Sequence, residues 1–241
     1  MNHHGRQRMA PTTVGILERK DEVFLGCQPP SGLAVLAPCR QSSSRVKLLA
    51  MTATMKLCAT VWSVRGYPTP ADEWSWPRKF EVIKEAGFDG LMSPPLPELK
   101  DRGDLTYWAI TSLGVGMDPR PFFEEATELG AAAATVQPCD VDTPLADCIE
   151  VCRNIQEVAQ KFGLHTGIET HRDTFTETPE RTHDMYDGYV KLHGKPLPLC
   201  FDHSHFAVVR HLRHPYWPDL KGREDLLTPT RQFHMLSLIH I

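Results

Sequence analysis

Two short stretches of this chain place acidic and imidazole groups directly behind apolar runs. The first is Ile168-Glu169-Thr170-His171-Arg172-Asp173 and the second is Cys200-Phe201-Asp202-His203-Ser204-His205-Phe206. A third run ends in Phe233-His234. A carboxylate that closes a buried strand is costly to desolvate unless a cation or a hydrogen-bond network meets it, so two such ends invite a shared metal ion. Glu, Asp and His offer hard oxygens plus an imidazole, a donor set that suits Mn²⁺, Mg²⁺, Co²⁺ or Zn²⁺ without choosing among them. The plainer reading is that either acid caps the next helix. Arg172 is a surface charge on one reading and a clamp for a substrate hydroxyl, carboxylate or phosphate on the other. Trp62 closes another apolar run, where its face could stack on a sugar ring. His171 and His203 read as outer groups of the site, and His183, His193, His211 and His214 as surface.

The elements that must position these residues alternate. Apolar runs of strand length occur at 57–62, 88–92, 107–113, 132–137, 164–169, 197–202 and 232–235. Between them lie helical segments with the expected punctuation. Pro77 and Gly87 bracket one, Asp118-Pro119 and Gly130 the next, and Asp142-Thr143-Pro144 and Gly163 the longest; Thr178-Pro179 and Gly194 bracket another. A poorly defined helix is expected around 98–105. Strands separated by helices imply a parallel sheet, because parallel neighbours need crossover connections. No GxGxxG follows the first strand and no GxxxxGK[ST] occurs, so the markers of a nucleotide-binding open sheet are missing. A closed barrel is favoured, with its chemistry where the strands end.

The 241 residues allow one domain plus an appendage. A 41% apolar and 23% charged composition is that of an ordinary globular chain. A net charge of −4 supplies no general field for nucleic acid or an anionic membrane, and no apolar stretch reaches the length of a membrane helix. The seven cysteines form no CxxC pair, and Cys148 and Cys152 read as buried small hydrophobes rather than zinc ligands. A reducing, cytoplasmic setting is expected. Residues 1–54 carry a Pro/Ser/Gly stretch and no sustained period; little stable structure is expected there, with Met51 or Met55 as an alternative start.

With these residues in view, Glu169-Thr-His-Arg172, Phe201-Asp-His-Ser-His-Phe206 and Phe233-His234 resemble the sugar isomerase/epimerase family with the xylose-isomerase-like TIM barrel. The Asp202-x-x-His205 pattern and the 33-residue spacing from Glu169 to Asp202 carry most of that likeness, which covers about residues 55–235. The resemblance implies a parallel (β/α)8 TIM barrel and a divalent cation held by Glu169, Asp202 and His234. It also implies Glu169 as the base, and His205, Arg172, His171 and Trp62 around a small sugar, sugar phosphate or other sugar derivative. Aldose–ketose isomerisation or ketose epimerisation follows, often in a homo-oligomer. Apurinic-site endonucleases of the same family use related strand ends for a zinc cluster that cuts DNA, and a non-catalytic ligand-binding barrel is the reading outside catalysis. Steeply salt-dependent affinity for abasic DNA would mark the former, and metal binding without proton exchange the latter. The sequence departs from the family in its eighth unit, whose second Glu is missing. Only 186 residues follow Met55, against about 250 for a full barrel, so a C-terminal truncation to about seven strands is expected. The tail 236–241 can be encoded by the start of a transposon end sequence used in library adaptors and is read as adaptor-derived.

Overall fold

The computed structural model describes residues 13–18, 54–210 and 220–235. Eight strands close into a barrel in sequence order: β1 (Thr13–Glu18), β2 (Thr54–Thr60), β3 (Gly90–Ser93), β4 (Thr106–Leu113), β5 (Ala131–Pro138), β6 (Thr166–Glu169), β7 (Leu199–Asp202) and β8 (Gln232–Met235). From β2 to β8 every neighbouring pair is parallel. These seven are the runs expected from the sequence, with ends shifted by up to three residues. The crossovers carry α1 (Trp76–Glu85), α2 (Arg120–Glu128), α3 (Leu145–Lys161), α4 (Pro179–His193), α5 (His203–Val209) and α6 (Glu224–Leu227). This is a (β/α)8-type barrel with seven parallel strands.

The eighth place is filled from the other end of the chain. β1 runs antiparallel to both β2 and β8, with Val14 opposite Cys58 on one side and His234 on the other. It falls in the segment where little stable structure was expected. A six-residue strand is too short for its period to stand out, and its partners lie about 40 and 220 positions away. The rest of 1–53, the tail 236–241, His211 and His214 lie outside the described residues.

Two other elements differ from expectation. Trp62 does not end the first parallel strand but sits in a 3-10 turn, Val61–Val64, just past it. The segment expected as a helix around 98–105 is a 3-10 turn at Pro97–Asp101, started by a proline and too short to propagate.

Packing follows the strand period of two. Trp108 and Ile110 of β4 point inward and meet Cys58, Met92 and Ala133 in a small apolar cluster, while the alternate residues Tyr107 and Ala109 join the larger core under the helices. A polar layer replaces apolar filling on the β5–β8 side, where Thr135 Oγ1 donates to Gln232 Oε1 at 2.7 Å. Gly167 is required there, since a Cβ would lie 2.9 Å from Gln232 Oε1 and 3.0 Å from Cys200 Cβ. The five described cysteines are free thiols in buried positions. Among the described residues no helix is long and apolar enough to cross a membrane.

Candidate metal and substrate site

One step along β6, β7 and β8 from that polar layer, Glu169 and Asp202 end two adjacent strands and His234 lies one residue before the end of the third. All three are buried, at 2%, 2% and 3% exposure. They open onto a cavity of about 460 Å³ whose wall includes Thr60, Met92, Ile110 and Gln137, together with Trp62, His171, Arg172 and His205. The candidate ligands and substrate contacts Glu169, Asp202, His234, His205, Arg172, His171 and Trp62 therefore share one space, whereas His203 stacks with Phe201 and Phe233 outside its wall.

The grouping within it differs from the expected one. Ligand atoms of Glu169, Asp202 and His205 all lie within 4.8 Å of one another. His234 instead turns Nδ1 to Glu169 Oε1 at 2.6 Å. The reason His205 arrives is local. Asp202 is the N-cap of α5, and its Oδ1 accepts from the Ser204 amide at 2.8 Å and from the Ser204 hydroxyl at 2.5 Å. Three residues on in a helix brings a side chain back to the same face, so His205 Nε2 lies 3.5 Å from Asp202 Oδ2. The capping and metal-ligand readings of Asp202 are thus compatible, one oxygen serving each.

Hydrogen bonds hold the two acids in place. Asp202 N donates to Thr170 Oγ1 at 2.8 Å, and the Thr170 amide donates to Cys200 O at 3.0 Å. Thr176 Oγ1 donates to the Glu169 carbonyl at 2.6 Å. Glu169 Oε2, His205 Nδ1 and His234 Nε2 remain buried without a hydrogen-bond partner. An orphaned carboxylate oxygen and imidazole nitrogen in so dry a place are the observation that fits a cation, and oxygen and nitrogen donors together suit a hard or borderline divalent ion.

The electrostatics agree. Burial works against charge on Glu169, but the His234 imidazole against it holds the carboxyl below its usual range. His234 loses stabilisation of its charged form by burial, yet Cys200 and Glu169 beside it raise its pKa well above the ordinary value. His205 is pushed down to about 4, chiefly by burial, so it is a neutral imidazole with a lone pair to offer. Its ring lies 3.9 Å from that of His171, whose Nδ1 is 2.5 Å from the Arg172 carbonyl. Arg172 stands at the mouth, 45% exposed, with Asp173 3.9 Å away. Trp62 is 47% exposed on the opposite side.

The sequence reading passed over Thr60, Thr170, Gln137 and Ser204, and with them α5. Their signal was weak because a threonine or glutamine near a strand end is ordinary; only Ser204, two places after an N-cap aspartate, belonged to a recognisable pattern.

No family model matches the chain, and no curated protein matches it in sequence. Among solved structures it is similar to a D-tagatose 3-epimerase-like protein, at 20% identity over 61% of this chain and 66% of that one, with a TM-score of 0.45. A 3-keto-D-glucoside 4-epimerase from E. coli matches at 16% identity over 67% and 73% of the two chains, TM-score 0.47. A probable 3-DHS dehydratase from Bacillus anthracis matches at 14% over 67% and 68%, also at 0.47. The chain spans about two thirds of the length of these structures.

Proposed function

We propose that this chain carries the metal and substrate site of a divalent-metal-dependent sugar isomerase or epimerase of the kind its sequence resembles. The observation that carries the reading is the convergence of Glu169, Asp202 and His205 within 4.8 Å, buried at the strand ends of a cavity large enough for a monosaccharide. Those three residues would hold the cation, which when bound draws electron density from a neighbouring carbonyl and so acidifies the adjacent C–H. Trp62 and Arg172, at the mouth, orient the sugar by its apolar face and its hydroxyls or a charged substituent.

Glu169 is the base of this reading. His234 keeps it ionised. The proton passes from the α-carbon to Glu169 as the C–H electrons form a double bond to the carbonyl carbon and the carbonyl π pair moves onto its oxygen. A proton then passes from the α-carbon's hydroxyl to that oxygen, and return of the first proton from Glu169 to the former carbonyl carbon on the same face interconverts ketose and aldose with one base. Epimerisation needs a second base on the opposite face, and among the described residues the carboxylates lining this cavity are Glu169 and Asp202.

The test is proton exchange. Loaded with Mn²⁺ and incubated in D2O with a panel of ketoses and aldoses, the chain should place deuterium on the carbon next to the carbonyl, read by NMR. Glu169→Gln should lower that exchange by about 10³-fold. Undiminished exchange would remove Glu169 as the base, and no exchange with any sugar of the panel would remove the isomerase reading.

A further inference from the structure

A second cavity, of about 500 Å³, lies beside the first, and Trp62 belongs to the wall of both. Its other aromatic walls are Trp74, from the loop that leads into α1, and Trp76, the first residue of that helix. Trp74 and Trp76 are braced by neighbouring side chains. Trp74 meets Tyr67 edge-on at 4.7 Å between ring centres, with the Arg78 guanidinium 5.4 Å from its ring. Trp76 stacks on Phe80 at 5.7 Å and carries the Lys79 ammonium 4.5 Å from its ring centre. Yet all three remain partly open to solvent. Large apolar surface left in water costs about 25 cal/mol per Å², so three indoles around one hollow, two of them braced, mark a place prepared for a ligand.

The polar groups narrow the ligand class. Lys79 is buried, its side chain only 4% exposed, and is neutralised by a salt bridge to Glu73. Arg65 and the Ser75 hydroxyl complete the rim. A phosphate or carboxylate would call for cations without a carboxylate among them, and a wholly apolar group would leave Glu73, Lys79 and Ser75 without function. A pyranose satisfies both sets of groups. Its C–H face suits an indole, and its hydroxyls at the ring edge both donate and accept.

We infer that this hollow is a second sugar subsite, so that the substrate is a glycoside with its reacting ring at Glu169, Asp202 and His205 and a further sugar ring among Trp62, Trp74 and Trp76. This rests on the sugar reading of the first cavity for its catalytic half only; the binding half stands or falls separately.

Titration calorimetry and tryptophan fluorescence with glucose, α- and β-linked glucose disaccharides and phenyl β-glucoside test it on the Mn²⁺-loaded chain. At least one disaccharide should bind about tenfold more tightly than glucose and change the fluorescence. Trp74→Ala should reduce that ratio to about one, and Trp74→Phe, which retains a ring, should restore part of it; circular dichroism checks that both variants fold. Equal affinity for glucose and every disaccharide, or a ratio unaffected by Trp74→Ala, would overturn the inference. So would phenyl glucoside binding tighter than every disaccharide, which would make the hollow a site for an aromatic group. Disaccharide binding lost in Trp74→Ala, without deuterium exchange into any sugar, would sustain the subsite while removing the isomerase.

Discussion

At the scale of single residues, the site depends on side chains that never touch a substrate. Thr170 joins the ends of β6 and β7 by accepting from the Asp202 amide and donating to the Asp202 carbonyl at 3.3 Å. Thr170→Val keeps the shape and removes both bonds. It should cost about 1–2 kcal/mol of stability in denaturant titration and weaken Mn²⁺ binding about tenfold by calorimetry, because the groups behind a metal ligand fix its orientation. Unchanged Mn²⁺ affinity would show that Asp202 is held by its cap alone. Glu169, Asp202, His205 and His234 were all legible in the sequence as polar groups behind apolar runs. Which imidazole joins the two acids was not. Position along the chain tells which strand end a residue occupies, whereas the choice between His205 and His234 depends on the turn of α5 and on the 2.6 Å contact that ties His234 to Glu169.

At the scale of elements, the seven parallel strands were legible because each is an apolar run, and those from β3 to β7 have Gly, Pro or Asp close by. Helix α5 was not, since its first residues carry the motif that reads as chemistry and Asp202 serves as both cap and candidate ligand. The turn at Val61–Val64 was missed because Val-Trp continues the apolar run of β2 without a break. Strand β3 depends on Gly90 for a reason no local pattern shows. A Cβ there would lie 2.3 Å from the Thr106 carbonyl oxygen and 2.5 Å from Trp108 Cζ3. Backbone cannot yield as a flexible side chain can, so Gly90→Ala should destabilise the fold by about 3 kcal/mol, seen as a lower denaturation midpoint with an unchanged slope. A loss below 1 kcal/mol would mean that β3 and β4 can separate without cost.

For the whole molecule, pH should act on stability away from the site, through His165 at the start of β6. Burial, with a smaller contribution from Arg231, pushes its pKa down to about 4 from an ordinary value of about 6.5. The folded state therefore binds its proton less readily than the unfolded chain. The corresponding stability is fully present above about pH 6.5 and is lost as the pH falls toward 4, at up to about 1.4 kcal/mol per pH unit. Unfolding free energies measured at pH 7 and 5 should differ less in His165→Asn than in the parent; equal differences would show that the imidazole is solvated. The closure of the barrel has its own consequence. Thr13–Glu18 supplies hydrogen bonds to both β2 and β8, including the rung that carries His234. A chain begun at Met55 would leave both of those margins with unsatisfied amides and carbonyls, a template onto which another molecule could add, and its tendency to precipitate should rise accordingly.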